Sequence, residues 1–250
     1  ALTGFTPKAY PGQLEIPSTL AGSTVTSIGV QAFSLCTGLT SVTFEAGSQI
    51  TTFNTAAFEQ CTSLTSITIP ASVTTISNLT FSNCTSLASI TIPSTVTNLD
   101  GSAFQGCSKL TSISVHPDNP NYSSVDGLLY NKNIQTLISC PSGKSGSIAT
   151  IPNTVKIFST YAFSYCTKLT SVAIPNSVEY ISNFLFIGCA NLTSVTFVSV
   201  SKVASIGQNA FFNCVNFASI NIPASVTYID FSGFAYSGLT NMYIPTINGL

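Results

Sequence analysis

The pattern Ala-Phe-x-x-Cys-x-x-Leu-Thr-Ser-Ile-x-Ile-Pro-x-x-Val-x-x-Ile returns about every 23 residues through a chain of 250 residues. A fixed period of that length is the mark of a solenoid, in which each unit buries its apolar side only against its neighbours. The cysteines set the phase at Cys36, Cys61, Cys84, Cys107, Cys140, Cys166, Cys189 and Cys214. A phenylalanine precedes seven of the eight by three residues, and Leu137 takes that place before Cys140. A leucine follows by three in most copies, with Phe217 in the same role.

Phe, Cys and Leu at steps of three fit one face of a short helical turn. After the leucine the period becomes two: in Leu64-Thr65-Ser66-Ile67-Thr68-Ile69-Pro70 the isoleucines alternate with hydroxyl residues, as in a half-buried strand. Proline lacks a ladder donor and suits the strand end. A second apolar pair follows (Val73 and Ile76, Val96 and Leu99, Val178 and Ile181, Val226 and Ile229) and should line the back of the coil. The expected fold is a repeat solenoid, a right-handed coil with short parallel β-strands on one face and short helical turns or irregular segments on the other. The unbroken phase predicts one domain over residues 1–250, of about 8–9 coils, with a long variant coil at about 116–150. Stacking at the strand spacing would make it a rod or arc on the order of 40–45 Å.

The residues that carry this pattern resemble the BspA-type leucine-rich repeat, which has Ala-Phe-x-x-Cys before Leu-x-x-Ile-x-Ile-Pro. The stretch Asn119-Pro120-Asn121-Tyr122-Ser123-Ser124-Val125-Asp126-Gly127-Leu128-Leu129-Tyr130-Asn131, with Leu137-Ile138-Ser139-Cys140-Pro141, is similar to that family's long variant repeat. The last copy, with Phe234 and Leu239, departs in lacking cysteine, and the first is partial. The resemblance implies a non-enzymatic adhesion or recognition protein, since relatives on bacterial and protist surfaces bind host or matrix proteins or neighbouring cells.

Charged residues are 6% of the chain, against about 25% for ordinary soluble domains. There is no arginine and the seven lysines are scattered, so the basic stripe that nucleic-acid binding requires is missing. Solubility must come from Ser, Thr and Asn, a surface that fits an extracellular or cell-surface setting. No apolar run approaches the ~18 residues of a membrane span. No signal peptide is visible, so Ala1 follows a cleavage site or the sequence is a fragment of something longer.

All eight cysteines share one inward repeat position, where an unpaired thiol behaves as a small hydrophobe. Parallel side chains in successive coils make disulfide geometry awkward, and no Cys-x-x-Cys offers a metal. No catalytic set is visible. His116 is the single histidine and sits beside Pro117-Asp118-Asn119-Pro120. Asp118 and Asp126 fit turn chemistry better than a catalytic pair. No cofactor or metal site is expected.

The candidate site is the outward strand face. Two and four residues after each leucine stand Ser41 and Thr43, Ser66 and Thr68, Ser89 and Thr91, Ser112 and Ser114, Ser171 and Ala173, Ser194 and Thr196, Ser219 and Asn221. Asn241 and Tyr243 continue the series, and aromatic residues such as Tyr243 anchor interfaces. These positions would dock a protein or glycan partner. Three other readings stand beside this one. Small hydroxyls also simply keep a strand soluble and packed. A homo-oligomer or head-to-tail filament would join strand edges at Leu14, Ile16, Met242, Tyr243 and Ile244, where few charges oppose pairing. Ice or polysaccharide binding would use the Ser/Thr ladders on a flat face. The sequons at Asn78, Asn83, Asn121 and Asn191 are candidate N-glycosylation sites, with Asn121 in the long turn the best exposed.

Overall fold

A computed structural model of the protein describes residues 12–148, 150–198 and 200–245, so Ala1 lies outside the described residues. The chain folds as two compact units, Ala1–Lys132 with Pro141–Gly143, and Asn133–Cys140 with Lys144–Leu250.

In the first unit the strands Gly12–Ile16, Leu39–Phe44 and Ser66–Ile67 form one parallel sheet, and Ser89–Ile92 and Ser112–Val115 form another. The register follows the repeat, pairing Ser41 with Ser66 and Ser89 with Ser112. A second column of two-residue strands runs Ser27–Ile28, Thr52–Phe53, Thr75–Ile76 and Asn98–Leu99, also parallel. The proline explains how the chain passes from the first column to the second. Val73 N–H donates to the Pro70 carbonyl at 3.0 Å and Val96 N–H to the Pro93 carbonyl at 3.3 Å, so Pro-x-x-Val closes a tight turn at the strand exit.

The second unit repeats this plan. Gly146–Ile148, Leu169–Ile174 and Ser194–Phe197 form one parallel sheet, and Ser219–Asn221 pairs with Asn241–Tyr243. Its second column holds Tyr180–Ile181, Ser205–Ile206 and Tyr228–Ile229, with Thr136–Ser139 pairing Ile157–Phe158.

The segment expected to form helical turns is built differently. The single helical element among the described residues is the 3-10 turn Gly101–Phe104. Elsewhere the Phe-x-x-Cys segment closes by i to i−3 bonds such as Cys36 N–H to Phe33 O and Leu39 N–H to Cys36 O. It also takes the left-handed backbone at two places per coil: Gln31 and Leu35, Ala56 and Gln60, Leu79 and Asn83, Tyr161 and Tyr165. For non-glycine residues this costs roughly 1–2 kcal/mol each. Bonds to the next coil offset that cost: the amides of Gln31, Phe33 and Leu35 donate to the carbonyls of Thr55, Ala57 and Glu59 at 2.8–3.0 Å. Glycine fills the second position at Gly106 (φ +74°) and Gly188 (φ +71°), where no such strain arises. In the coil of Gly101–Phe104 the first position, Ser102, is not left-handed, and this is the coil that becomes 3-10.

Phenylalanines run through both interiors. Phe33, Phe58, Phe81 and Phe104 stack at centroid spacings of 5.3, 5.6 and 5.9 Å. Phe163, Phe186, Phe211 and Phe234 stack at 5.1, 5.2 and 4.9 Å. All eight cysteines are buried thiols. Several have a polar duty that the sequence does not reveal: Cys61, Cys84 and Cys107 donate S–H to the carbonyls of Phe33, Phe58 and Phe81 at 3.0–3.1 Å. Cys189 and Cys214 repeat this to Phe163 and Phe186 at 2.9 and 3.0 Å. Burial pushes the Cys107 and Cys214 thiols up to about 12. Cys61 is raised first by its thiol neighbour Cys84 and then by burial.

In the first unit the long variant coil carries an antiparallel hairpin, Tyr122–Val125 with Leu128–Asn131, turned by Asp126 (φ +52°) and Gly127 (φ +79°). Asn119, fully buried, holds its base. Its Nδ2 donates to the Pro93 and Val96 carbonyls, and its Oδ1 accepts from the Asn121 and Tyr122 amides. A Cβ on Gly127 would meet the Ser112 Cβ at 2.9 Å, so glycine lets the hairpin lie against the strand Ser112–Val115.

Candidate recognition surface

The strand face is made by the pleat. Val42, Ile67, Ile90, Ile113, Val172, Val195 and Ile220 are buried, and the residues on either side of them turn out. In the first unit Thr43, Ser66, Thr68, Ser89, Thr91 and Ser114 are exposed, and Ser41 and Ser112 are half-buried. In the second, Thr196, Ser219, Asn221, Asn241 and Tyr243 are exposed, and Ser171, Ala173 and Ser194 are half-buried. The register aligns these positions into columns. Ser171 pairs with Ser194 and Ala173 with Thr196, while Asn221 pairs with Tyr243.

Three features of this face escape a reading by leucine offsets. Ser147 joins the second unit's column, pairing with Ser171 and within 2.7 Å of its hydroxyl. Its repeat is irregular, so no leucine marks its place. The residue after each of these leucines also faces out, and where it is threonine its hydroxyl can tie the coils together: Thr65 Oγ1 donates to Thr40 O at 3.1 Å and Thr193 Oγ1 to Thr170 O at 3.0 Å. Gln13 and Glu15 extend the first unit's columns opposite Ser41 and Thr43.

Each unit also has a groove beside the face, in the coil that follows Cys36 and in the coil that follows Cys189. Both coils are two residues longer than the 23-residue norm. The additions fall just after the strand, at Glu45–Gln49 and at 198–202. The first groove is lined by Thr43, Phe44, Thr68 and Pro70 and holds about 460 Å³. The second, with Thr196, Phe197, Asn221 and Pro223 at the matching repeat positions, holds about 600 Å³ and adds Tyr243. Phe44 and Phe197 are half-buried where the shorter coils bury Ile69, Ile92 and Ile222. The extra length therefore opens the surface at an aromatic residue.

Other sequence candidates are placed as follows. Of the edge residues, Met242, Tyr243 and Ile244 are exposed, Leu14 is half-buried, and Ile16 is 1% exposed with its strand paired to Leu39–Phe44. The Ile16 side chain is packed into the core. Asn78, Asn83, Asn121 and Asn191 are all exposed. The nitrogens of Asn121 and Asn191, the atoms a glycan would take, donate to the Thr97 and Thr167 carbonyls at 2.9 and 2.8 Å. His116 Nδ1 lies 3.8 Å from Asp118 Oδ2 on an open loop and accepts from the Asp118 amide at 3.2 Å, the geometry of a local turn. Among the described residues no cluster of His, Cys, Asp and Glu could hold a metal, and no helix is long and apolar enough to cross a membrane.

A family model described as "BspA type Leucine rich repeat region" matches residues 5–135 and 140–249, in 6 copies. Among solved structures, the pneumococcal vaccine antigen PcpA aligns with a TM-score of 0.72 at 21% identity, over 98% of this chain and 75% of its own. A leucine rich cell surface protein of Faecalibacterium prausnitzii A2-165 aligns at 0.63 and 26% identity, over 95% of this chain and 79% of its own. A leucine-rich repeat protein of Eubacterium ventriosum ATCC 27560 aligns at 0.54 and 25% identity, over 94% and 85%. No curated protein matches the chain.

Proposed function

Because this chain belongs to the BspA-type leucine-rich repeat family, we propose that it is a cell-surface or secreted recognition protein that binds a protein or glycan partner through its strand face, without catalysis. The observation that carries this reading is the aligned, exposed polar columns, which recur in both units with an aromatic groove beside each. A partner laid across such a surface meets the same chemistry at each coil, so many weak contacts add. The surface location is supported by the cell-surface protein of Faecalibacterium prausnitzii and by the near absence of charge. The same reading takes residues 1–250 as one repeat domain.

The test is substitution by lysine. Lysine at Ser66, Thr68, Ser89 and Thr91 should abolish capture of the partner while the circular dichroism stays that of the wild type. Lysine at Thr74 and Thr97, exposed outside these columns, should leave capture intact. Damage from the second set alone would move the ligand to another face.

A second reading, self-association into filaments, is favoured by the exposed Tyr243 (64%) and Ile244 (60%) at an edge strand. Light scattering over a range of concentrations tests it. Assemblies that fall to monomers on Tyr243→Lys with Ile244→Lys would support it, and a monomeric wild type at high concentration would remove it.

A further inference from the structure

The second strand column differs in chemistry between the two units, and in the second unit it forms a groove that the strand-face reading does not use. The repeat positions that hold Ser27, Thr52, Thr75 and Asn98 in the first unit hold Ile157, Tyr180, Ser205 and Tyr228 in the second. Tyr180, Ser205 and Tyr228 stand directly side by side in the parallel register. The two tyrosines are 41% and 58% exposed. They border an open groove of about 390 Å³ whose lining includes Ser205, Gly207, Asn183 and Asp230.

We propose that this groove is a carbohydrate-binding subsite, taking a neutral oligosaccharide of extended, β-linked pyranose rings laid across the coils. The tyrosines are two strand spacings apart, roughly 9–10 Å. That is the interval between alternate rings of such a sugar chain, so each tyrosine can meet the C–H face of one ring while the small Ser205 leaves room for the ring between. Aromatic side chains supply apolar contact, and a few fixed polar groups orient the ligand.

Those polar groups are pre-positioned. Asp230 Oδ1 accepts from the Tyr228 hydroxyl at 3.1 Å and from the Phe231 amide at 2.6 Å, which fixes both the tyrosine and the carboxylate. Its other oxygen can accept from a sugar hydroxyl in a charge-assisted bond. Asn183 Oδ1 accepts from the Gln208 amide at 2.9 Å, so its NH₂ is the part that can donate to a ligand. Gly207 keeps the floor low: a Cβ there would meet Asn183 Oδ1 at 2.3 Å. Asp230 is the one charged residue in the described lining, so sulfated or sialylated sugars would be repelled.

Isothermal titration of the whole chain with cellotetraose, chitotetraose and a heparin-derived tetrasaccharide tests this. One of the two neutral sugars should bind and the heparin fragment should not. Tyr180→Ala should weaken binding by about tenfold or more, and Tyr228→Phe, which removes the bond to Asp230, by a smaller factor. The four lysines on the strand face should leave sugar binding unchanged, which separates this site from the proposed recognition surface. The proposal is overturned if neither neutral tetrasaccharide binds, if the Tyr180→Ala/Tyr228→Ala variant binds as the wild type does, or if the strand-face lysines remove sugar binding.

Discussion

The phenylalanine stack of the first unit and that of the second have nearly the same spacing, 5.3–5.9 Å against 4.9–5.2 Å, while the outward residues of their second columns share little. Serine, threonine and asparagine stand in one, whereas isoleucine and two tyrosines stand beside a single serine at the matching positions of the other. The difference separates two kinds of constraint. An inward residue must fit its equivalents above and below, because each coil buries its core only against its neighbours. An outward residue keeps its backbone bonds whatever the side chain is, so a repeat protein can change its surface coil by coil without changing its fold.

If the interiors are equivalent, truncation should cost the same in both. Phe104→Ala and Phe186→Ala remove rings that are 1% and 0% exposed, and each should lose roughly 3–5 kcal/mol by chemical denaturation. A loss below about 1 kcal/mol in either would break the inward assignment of that unit.

The thiols sharpen the same comparison. Cys107 and Cys214, one in each unit, are raised by burial from 9.0 to about 12. The unfolded chain therefore gives up these protons at lower pH than the folded chain does. Their contribution to stability is full below pH 9 and is lost between pH 9 and about 12, at about 1.4 kcal/mol per pH unit for each thiol. Denaturation midpoints should be flat through neutral pH and fall above 9. Cys107→Ala and Cys214→Ala should each shallow that fall by a similar amount. A slope that responds to only one of them would show that the two interiors are not alike.

The smallest effect is expected outside. Thr75→Tyr places in the first unit the residue that the second unit carries at Tyr180, and should change stability by no more than about 0.5 kcal/mol. A larger loss would show that the second column is constrained by packing and that its chemistry in the second unit is structural.

The period, the inward Phe-Cys-Leu set, the alternation of the main strand and the strand end at the proline were legible in the sequence, because each is a local pattern copied many times. The parallel register follows from the same copying, since only one alignment buries every isoleucine at once. The hydroxyl columns were legible for the same reason. What the sequence could not say lies wherever one coil answers to the next. Left-handed backbone at Leu35, Gln60 or Tyr165 has no residue signature, because bonds from the adjacent coil impose it against the side chain's preference. The S–H bonds of Cys61, Cys84, Cys107, Cys189 and Cys214 exist because stacking brings these thiols to the carbonyl of the phenylalanine in the preceding coil. The grooves at Phe44 and Phe197 depend on where two extra residues go once the strand before them is held. The pairing of Tyr180, Ser205 and Tyr228 across residues 23 and 25 apart arises only when the coils are stacked, since it is tertiary contact that turns positions distant in the chain into neighbours on a surface.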